Sequence, residues 1–331
     1  MPSGERFGAA EISPGVWMPR LGLGTFKIRG EDATRSTLDA LRSGCRHIDT
    51  ASCYRNEEEV RLGIKIWRSE AAADADGREG NEANDDDVFI TSKLAPNEMG
   101  ETRVHAALDG VYERLGRGIR SSPGEPRVPP LDLALVHWPG MARTPPDSPA
   151  NRTARAETWR ALEDALAART VRAIGVSNYT RVHLLEMRDY ARVIPAVNQV
   201  EFHPRCQQRE LRRTCEALGV GIVAYSPLGC GELLKDPRVS RAAELLAEAS
   251  GDTAVTPARA LIAWSLRQPG VVASIVKSSD SARIAANVGR DGYARAAALA
   301  EASGTAVDAA FRELDGMDDG THFCWDPTVV R

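Results

Sequence analysis

Short apolar runs and longer amphipathic stretches alternate along this chain. Eight runs read as strands: residues 20–25 (RLGLGT), 46–49 (RHID), 88–93 (VFITSK), 131–137 (LDLALVH), 171–177 (VRAIGVS), 196–202 (AVNQVEF), 221–226 (GIVAYS) and 271–277 (VVASIVK). Val, Ile and Leu fall on both faces of these runs, as they do in the strands of a buried parallel sheet. Between them, apolar residues recur at helical spacing in DATRSTLDALRSG, ETRVHAALDGVYERLG, ETWRALEDALAA, QRELRRTCEALG and TPARALIAWSLRQ. Several of these stretches end in Gly, a common helix terminator. Eight strand-then-helix units predict an α/β protein of the (β/α)8 TIM-barrel type, a single domain over residues 1–331. Two segments break the rhythm. Residues 70–87 (EAAADADGREGNEANDDD) are acidic and aperiodic, which predicts a solvated loop, and residues 116–130 (GRGIRSSPGEPRVPP) are rich in Pro and Gly. Both precede strands, so both are expected as insertions on the bottom face of the barrel.

A barrel carries its chemistry at the C-terminal ends of its strands. The polar residues at those ends are Asp49, Lys93, His137, Ser177 with Asn178, Gln199, Tyr225 with Ser226, and Lys277, so the second to the eighth strand each bring one to the same rim. Tyr54 follows five residues after Asp49. A tyrosine is a weak acid, with an ordinary pKa of about 10. A nearby lysine ammonium favours the phenolate and lowers that value. A buried lysine in turn needs a carboxylate partner. On this reading Asp49 supports Lys93, Lys93 lowers the Tyr54 pKa, and a neutral His137 orients a carbonyl whose oxygen receives the Tyr54 proton. Carbonyl reduction also needs a hydride. No side chain supplies one, so a nicotinamide cofactor is implied. No GxGxxG motif follows a strand, which puts that cofactor on the barrel rim rather than in a Rossmann site.

Composition narrows the field without deciding it. The 331 residues are 43% hydrophobic and 27% charged, with a net charge of -4, which leaves no basic footprint for nucleic acid. No apolar run approaches the ~20 residues that span a membrane. The N-terminal MPSGERFGAAEISPGV lacks the apolar core of a secretory signal, so a cytoplasmic protein is expected, with neither a nucleic-acid nor a membrane partner. The six cysteines form no CxxC pair and no HExxH occurs, so no metal is expected and the thiols are read as reduced and structural. Cys53, beside Tyr54, is the exception to note.

The residues that carry this chemistry lie in stretches that together resemble the aldo-keto reductases: MPRLGLGTF, GCRHIDTASCYRNEEEVRLG, FITSKL, LVHWPG, VRAIGVSNY, VNQVEFHP, AYSPLG and KSSDSARIAAN, in family order over almost the whole chain. The resemblance implies a catalytic tetrad of Asp49, Tyr54, Lys93 and His137. It implies that Ser177, Asn178 and Gln199 bind the nicotinamide carboxamide and that Tyr225 stacks on its ring. Ser226, Leu228 and Gly229 would follow the pyrophosphate, and Gly24, Thr25 and Asp49 would lie near the cofactor. Lys277, Ser278 and Arg283 would hold a 2′-phosphate and Asn287 the adenine, which favours NADPH/NADP+ over NAD. Phe26, Tyr54, His137 and Trp138 would wall the substrate site. The C-terminal residues 316–331 resemble the family's substrate loop, with Cys324 and Trp325 as candidate substrate contacts. Three positions depart from the family pattern: Val276 stands where Pro is usual, Ala286 where Glu is usual, and Phe26 where Trp is common. The implied activity is reduction of aldehydes or ketones to alcohols by a monomer acting on a small-molecule carbonyl substrate. The alternative is a nucleotide-sensing binding protein resembling potassium-channel β-subunits, which use the same barrel. The HFCWDP tail resembles the small-molecule reductases instead.

Overall fold

The computed structural model describes residues 8–75, 88–117 and 129–331. Eight parallel strands close into a barrel in the order β10 (Val271–Lys277), β3 (Leu21–Gly24), β4 (His47–Asp49), β5 (Phe89–Leu94), β6 (Leu131–Val136), β7 (Val171–Ser177), β8 (Val197–Glu201) and β9 (Gly221–Tyr225). All eight predicted strands are present, within a residue or two at their ends. Period-2 alternation sorts their side chains. Phe89, Leu133, Leu135, Ala173, Val197, Val223, Ala273 and Ile275 fill the barrel interior. Ile48, Ile90, Ala134, Val136, Ile174, Val176, Val200 and Ile222 face outward, into the layer between barrel and helices.

The helices are α1 (Glu31–Arg42), α2 (Glu57–Ala75), α3 (Glu101–Leu115), α4 (Ala150–Ala167), α5 (Arg181–Glu186), α6 (Arg209–Leu218), α7 (Pro237–Ser250), α8 (Pro257–Arg267), α9 (Ser281–Val288), α10 (Arg290–Glu301) and α11 (Thr305–Asp315). Gly116 and Gly219 stop α3 and α6 in the left-handed region, at φ 63° and 72°, where a side chain would be strained. Thr256 caps α8 through a bond from the Arg259 amide, with Pro257 in the first turn. The Ala-rich stretch after Asn287 forms α10, packed on α8, and α11, packed on α7.

Two features differ from the sequence reading. The first six residues of the expected 70–87 loop continue α2, because the run EAAADA has good helix formers and Glu70 makes a two-pronged ion pair with Arg42 of α1. Residues 76–87, and 118–128 of the second expected insertion, lie outside the described residues. A hairpin of β1 (Ala9–Ser13) and β2 (Val16–Pro19), not foreseen, precedes the barrel. Its Val16 and Met18 are buried against the inner barrel residues and close the end of the interior from which β3 departs. No helix among the described residues is long and apolar enough to cross a membrane.

Candidate active site

The same alternation that fills the barrel with apolar groups ends each strand with a polar one. Phe89, Thr91 and Lys93 share one face of β5, and Leu133, Leu135 and His137 share one line on and beyond β6. Ala173 and Ser177, Val197 and Gln199, and Val223 and Tyr225 repeat the pattern. The polar residues therefore converge on one rim.

Lys93 is buried with Asp49. Its Nζ donates to Asp49 Oδ1 at 2.5 Å and to the Thr50 carbonyl at 2.9 Å, and Gln199 Nε2 donates to Asp49 Oδ2 at 2.7 Å. Lys93 Nζ also lies 5.1 Å from the centre of the Tyr54 ring. The His137 ring meets that ring edge-on at 5.6 Å. Burial, assisted by the Lys93 charge, lowers the His137 pKa to about 3, so the imidazole is neutral at ordinary pH, as expected. Tyr54 departs from expectation. Burial and the Asp49 charge raise its pKa well above that of a free phenol, and the phenol stays protonated. Burial is the main cause, and it outweighs the Lys93 charge beside the ring.

Local structure delivers Tyr54 to this rim. The turn Ser52–Tyr54 is a short 3-10 segment ended by Arg55 in the left-handed region, at φ 56°. Asn56 then pins it. Its Nδ2 donates to the carbonyls of Thr25 and Ile28, and its Oδ1 accepts from Thr50. Asn56 is a supporting residue that the sequence reading passed over; its place directly after a candidate catalytic turn was the available signal. Across the rim, Asn178 Nδ2 donates to the His137 carbonyl at 3.0 Å and Tyr225 Oη donates to Asn178 Oδ1 at 2.8 Å. Asn178 and Ser226 are non-glycine residues at φ 62° and 51°. Backbone strain of this kind gathers at functional sites.

A cleft of about 720 Å³ opens here. Asp49, Tyr54 and His137 line it, and so do Lys277, Ser278, Arg283 and Asn287. Gly24, Ser177, Asn178, Gln199, Tyr225, Ser226 and Leu228 line it as well, and Phe26, Cys324 and Trp325 complete the wall. A Cβ on Gly24 would come within 2.9 Å of Ile275 Cγ2, so the strand needs glycine there. Four predicted residues do not line the cleft. Thr25 is buried, with its hydroxyl on the Asp49 carbonyl. Lys93 lies behind Asp49. Gly229 is buried against Leu233, and Trp138 is half-buried elsewhere. Lys27, Pro227, Cys230, Leu234 and Pro257 line it without having been foreseen. No cluster of metal-binding side chains occurs among the described residues.

The C-terminal tail closes one side. Glu201, at the end of β8, accepts from His203 Nε2 (3.1 Å), His322 Nδ1 (2.9 Å), the Phe323 amide (2.7 Å) and the Cys324 amide (3.3 Å). Trp325 thereby meets Phe26 edge-on at 5.4 Å, and Phe26 lies 5.1 Å from Tyr54.

Sequence comparison agrees with this geometry: the profile of the Aldo/keto reductase family matches residues 20–290. The chain belongs to this family. It is similar to a glyoxal reductase of Bacillus subtilis, 38% identical over 278 residues that cover 84% of each chain. It is also similar to a 9,11-endoperoxide prostaglandin H2 reductase of Trypanosoma cruzi, 34% identical over 82% of each. Among solved structures, Gox0644 in its apo form superposes with a TM-score of 0.74 at 30% identity, covering 96% of this chain and 97% of that one. A mutant of Gox0644 in complex with NADPH gives 0.72 at 29% identity, covering 95% of each. As an aldo-keto reductase, the chain is an oxidoreductase of nicotinamide chemistry.

Proposed function

We propose that this aldo-keto reductase reduces aldehydes or ketones to alcohols with NADPH, and that Tyr54 donates the proton. The observation that carries the proposal is the Lys93–Asp49 pair buried at 2.5 Å beside the ring of a protonated Tyr54, with a neutral His137 across from it. The bound reduced nicotinamide supplies the hydride. The chain does the rest. His137 and Tyr54 hydrogen-bond the substrate oxygen, and Tyr54 Oη gives up its proton as negative charge develops there. Lys93 and Asp49 hold fixed charges next to that proton without entering solvent. Gln199, already oriented by Asp49, together with Ser177 and Asn178, presents amide and hydroxyl groups for a carboxamide. The Tyr225 ring, tethered through Oη to Asn178, forms a flat wall for the nicotinamide.

Lys277 and Arg283 are exposed side chains that line the cleft together with Ser278. That is a fitting receptor for a phosphate dianion and favours NADPH over NADH. The tail 316–331 acts as the substrate loop, and the Phe26–Trp325–Tyr54 aromatic wall suits flat or apolar carbonyl compounds. The protein works as a cytoplasmic monomer.

The test is NADPH consumption with an activated aromatic aldehyde and with glyoxal, for wild type and Tyr54→Phe, repeated with NADH. Tyr54→Phe is expected to lower kcat roughly 10²- to 10⁴-fold while NADPH still binds. Wild-type protein that binds NADPH and turns over no carbonyl compound in a broad panel would favour the nucleotide-sensing alternative. In the same assay, the double variant Lys277→Ala/Arg283→Ala is expected to raise KM for NADPH towards that for NADH and leave the NADH value nearly unchanged; equal effects on both cofactors would contradict the phosphate assignment.

A further inference from the structure

Two thiols far apart in sequence meet at the edge of the cleft. Cys230 lies in the loop that follows β9, and Cys324 lies in the C-terminal tail. Their Sγ atoms are 3.6 Å apart, and both residues line the cleft. Ser226 Oγ approaches both, at 3.3 Å from Cys324 Sγ and 3.7 Å from Cys230 Sγ. Cys230 has a left-handed backbone, at φ 54°, inside a kinked 3-10 run, and the amide of Cys324 is held by Glu201.

We propose that Cys230 and Cys324 form a redox pair, and that oxidation by a peroxide joins them in a disulfide that straps the C-terminal tail to the β9 loop across the cleft. A disulfide needs an S–S distance of about 2.05 Å, so the sulfurs close by roughly 1.5 Å, within reach of small side-chain rotations. The exposed Cys230 reacts first. Its thiolate attacks hydrogen peroxide, giving a sulfenic acid and hydroxide. Cys324 Sγ then attacks that sulfur. The new S–S bond forms as the S–O bond breaks, and the departing hydroxide takes the Cys324 proton and leaves as water. Two thiols are oxidised and one peroxide is reduced to two waters. Cys324 serves as the resolving partner because it is the less exposed of the two and its Sγ already lies 3.6 Å from Cys230 Sγ. Cys45, Cys206 and Cys215 are buried, so they do not compete for the oxidant; Cys53 is also exposed, but its Sγ lies against His137 Nδ1 at 3.4 Å and belongs to the other side of the rim from the Cys230–Cys324 contact.

The consequence rests on the reading of this cleft as the cofactor site. The β9 loop, with Ser226, Pro227 and Leu228, and the tail, with Trp325, form two of its walls. Tying them together keeps these two walls from parting and slows cofactor exchange.

The full-length protein would be treated with stoichiometric hydrogen peroxide, alkylated, digested without reductant and analysed by mass spectrometry. A Cys230–Cys324 linked peptide is expected, removed by dithiothreitol and absent from Cys230→Ser. Sulfinic acid at Cys230 without the linked peptide would overturn the pair. The NADPH dissociation rate, followed by fluorescence during displacement with excess NADP+, is expected to fall about tenfold on oxidation of the wild type. In Cys230→Ser it is expected to be the same before and after peroxide. A linked peptide with an unchanged dissociation rate would overturn the strap. If the reduced protein bound no NADPH, the cofactor reading would fail, and the mass spectrum would still decide the pair.

Discussion

Lys93 and Asp49 carry opposite charges in a space from which water is excluded, so each depends on the other. Both are almost wholly buried, and the remaining donors to Asp49 include Gln199 Nε2. Removing only the lysine leaves a buried carboxylate without its counter-charge. Lys93→Met is therefore expected to cost about 3–5 kcal/mol, and the double variant Asp49→Asn/Lys93→Met clearly less, because it buries no lone charge. Urea unfolding of the two variants at neutral pH measures this. Equal losses would mean that the pair adds little beyond packing. The Tyr54 phenol is protected by the same burial. Its raised pKa keeps it a proton donor throughout the neutral range, whereas residue types alone suggested a lowered one. That difference has a plain cause: the phenol is buried beside the Asp49 carboxylate, and depth of burial is something no sequence records.

At the scale of elements, β8 and the tail are joined through a single side chain. Burial alone would raise the Glu201 pKa, but the hydrogen bonds from His203, Phe323 and His322 outweigh it and hold the group below the usual carboxylate range. Glu201→Ala deprives the tail of three acceptor contacts at residues 322–324. The expected result is a freed tail: KM for apolar aldehydes rises several-fold as the Trp325 wall is lost, and a protease cuts near residue 320 in the otherwise folded protein. Each lost charged hydrogen bond is worth about 1.5–3 kcal/mol, ample to undock so short a segment. A tail as resistant as in wild type would show that Trp325 and its neighbours suffice. The strand positions were legible in the chain because parallel barrel strands are apolar on both faces. The end of α2 was not, because its acidic composition reads as loop until Arg42 is seen opposite Glu70.

For the molecule as a whole, two buried histidines, His47 and His183, and the half-buried His137 tie stability to pH. Burial is the main cause that lowers the pKa values of His47, His137 and His183 to about 4, 3 and 4. In the unfolded chain these rings take up protons near pH 6.5. In the fold they stay neutral down to those lower values. Stability is therefore complete above pH 6.5 and is lost as pH falls between the two sets of values, by up to about 1.4 kcal/mol per pH unit for each ring. Urea midpoints measured from pH 7.5 to 5.0 are expected to fall steadily below pH 6.5. A flat profile would mean that these rings take up protons within the fold. Glu201 adds a loss of the same sign at lower pH, as it becomes protonated.

By itself the sequence determined the barrel and the kinds of group at its rim. Apolar alternation dictates which strand positions face inward, and the last inward position of each strand is where polarity becomes tolerable. Asp49, Lys93, His137, Gln199 and Tyr225 could be named on that ground alone. Tertiary structure alone decided what depends on distance between remote segments. It set the protonation of Tyr54 and the closing of the barrel floor by Val16 and Met18. It also brought Glu201 to the tail, and Cys230 to Cys324 across 94 positions of chain. Charge screening, burial and thiol proximity are properties of space, and a linear pattern carries them only where it repeats with the period of the local fold.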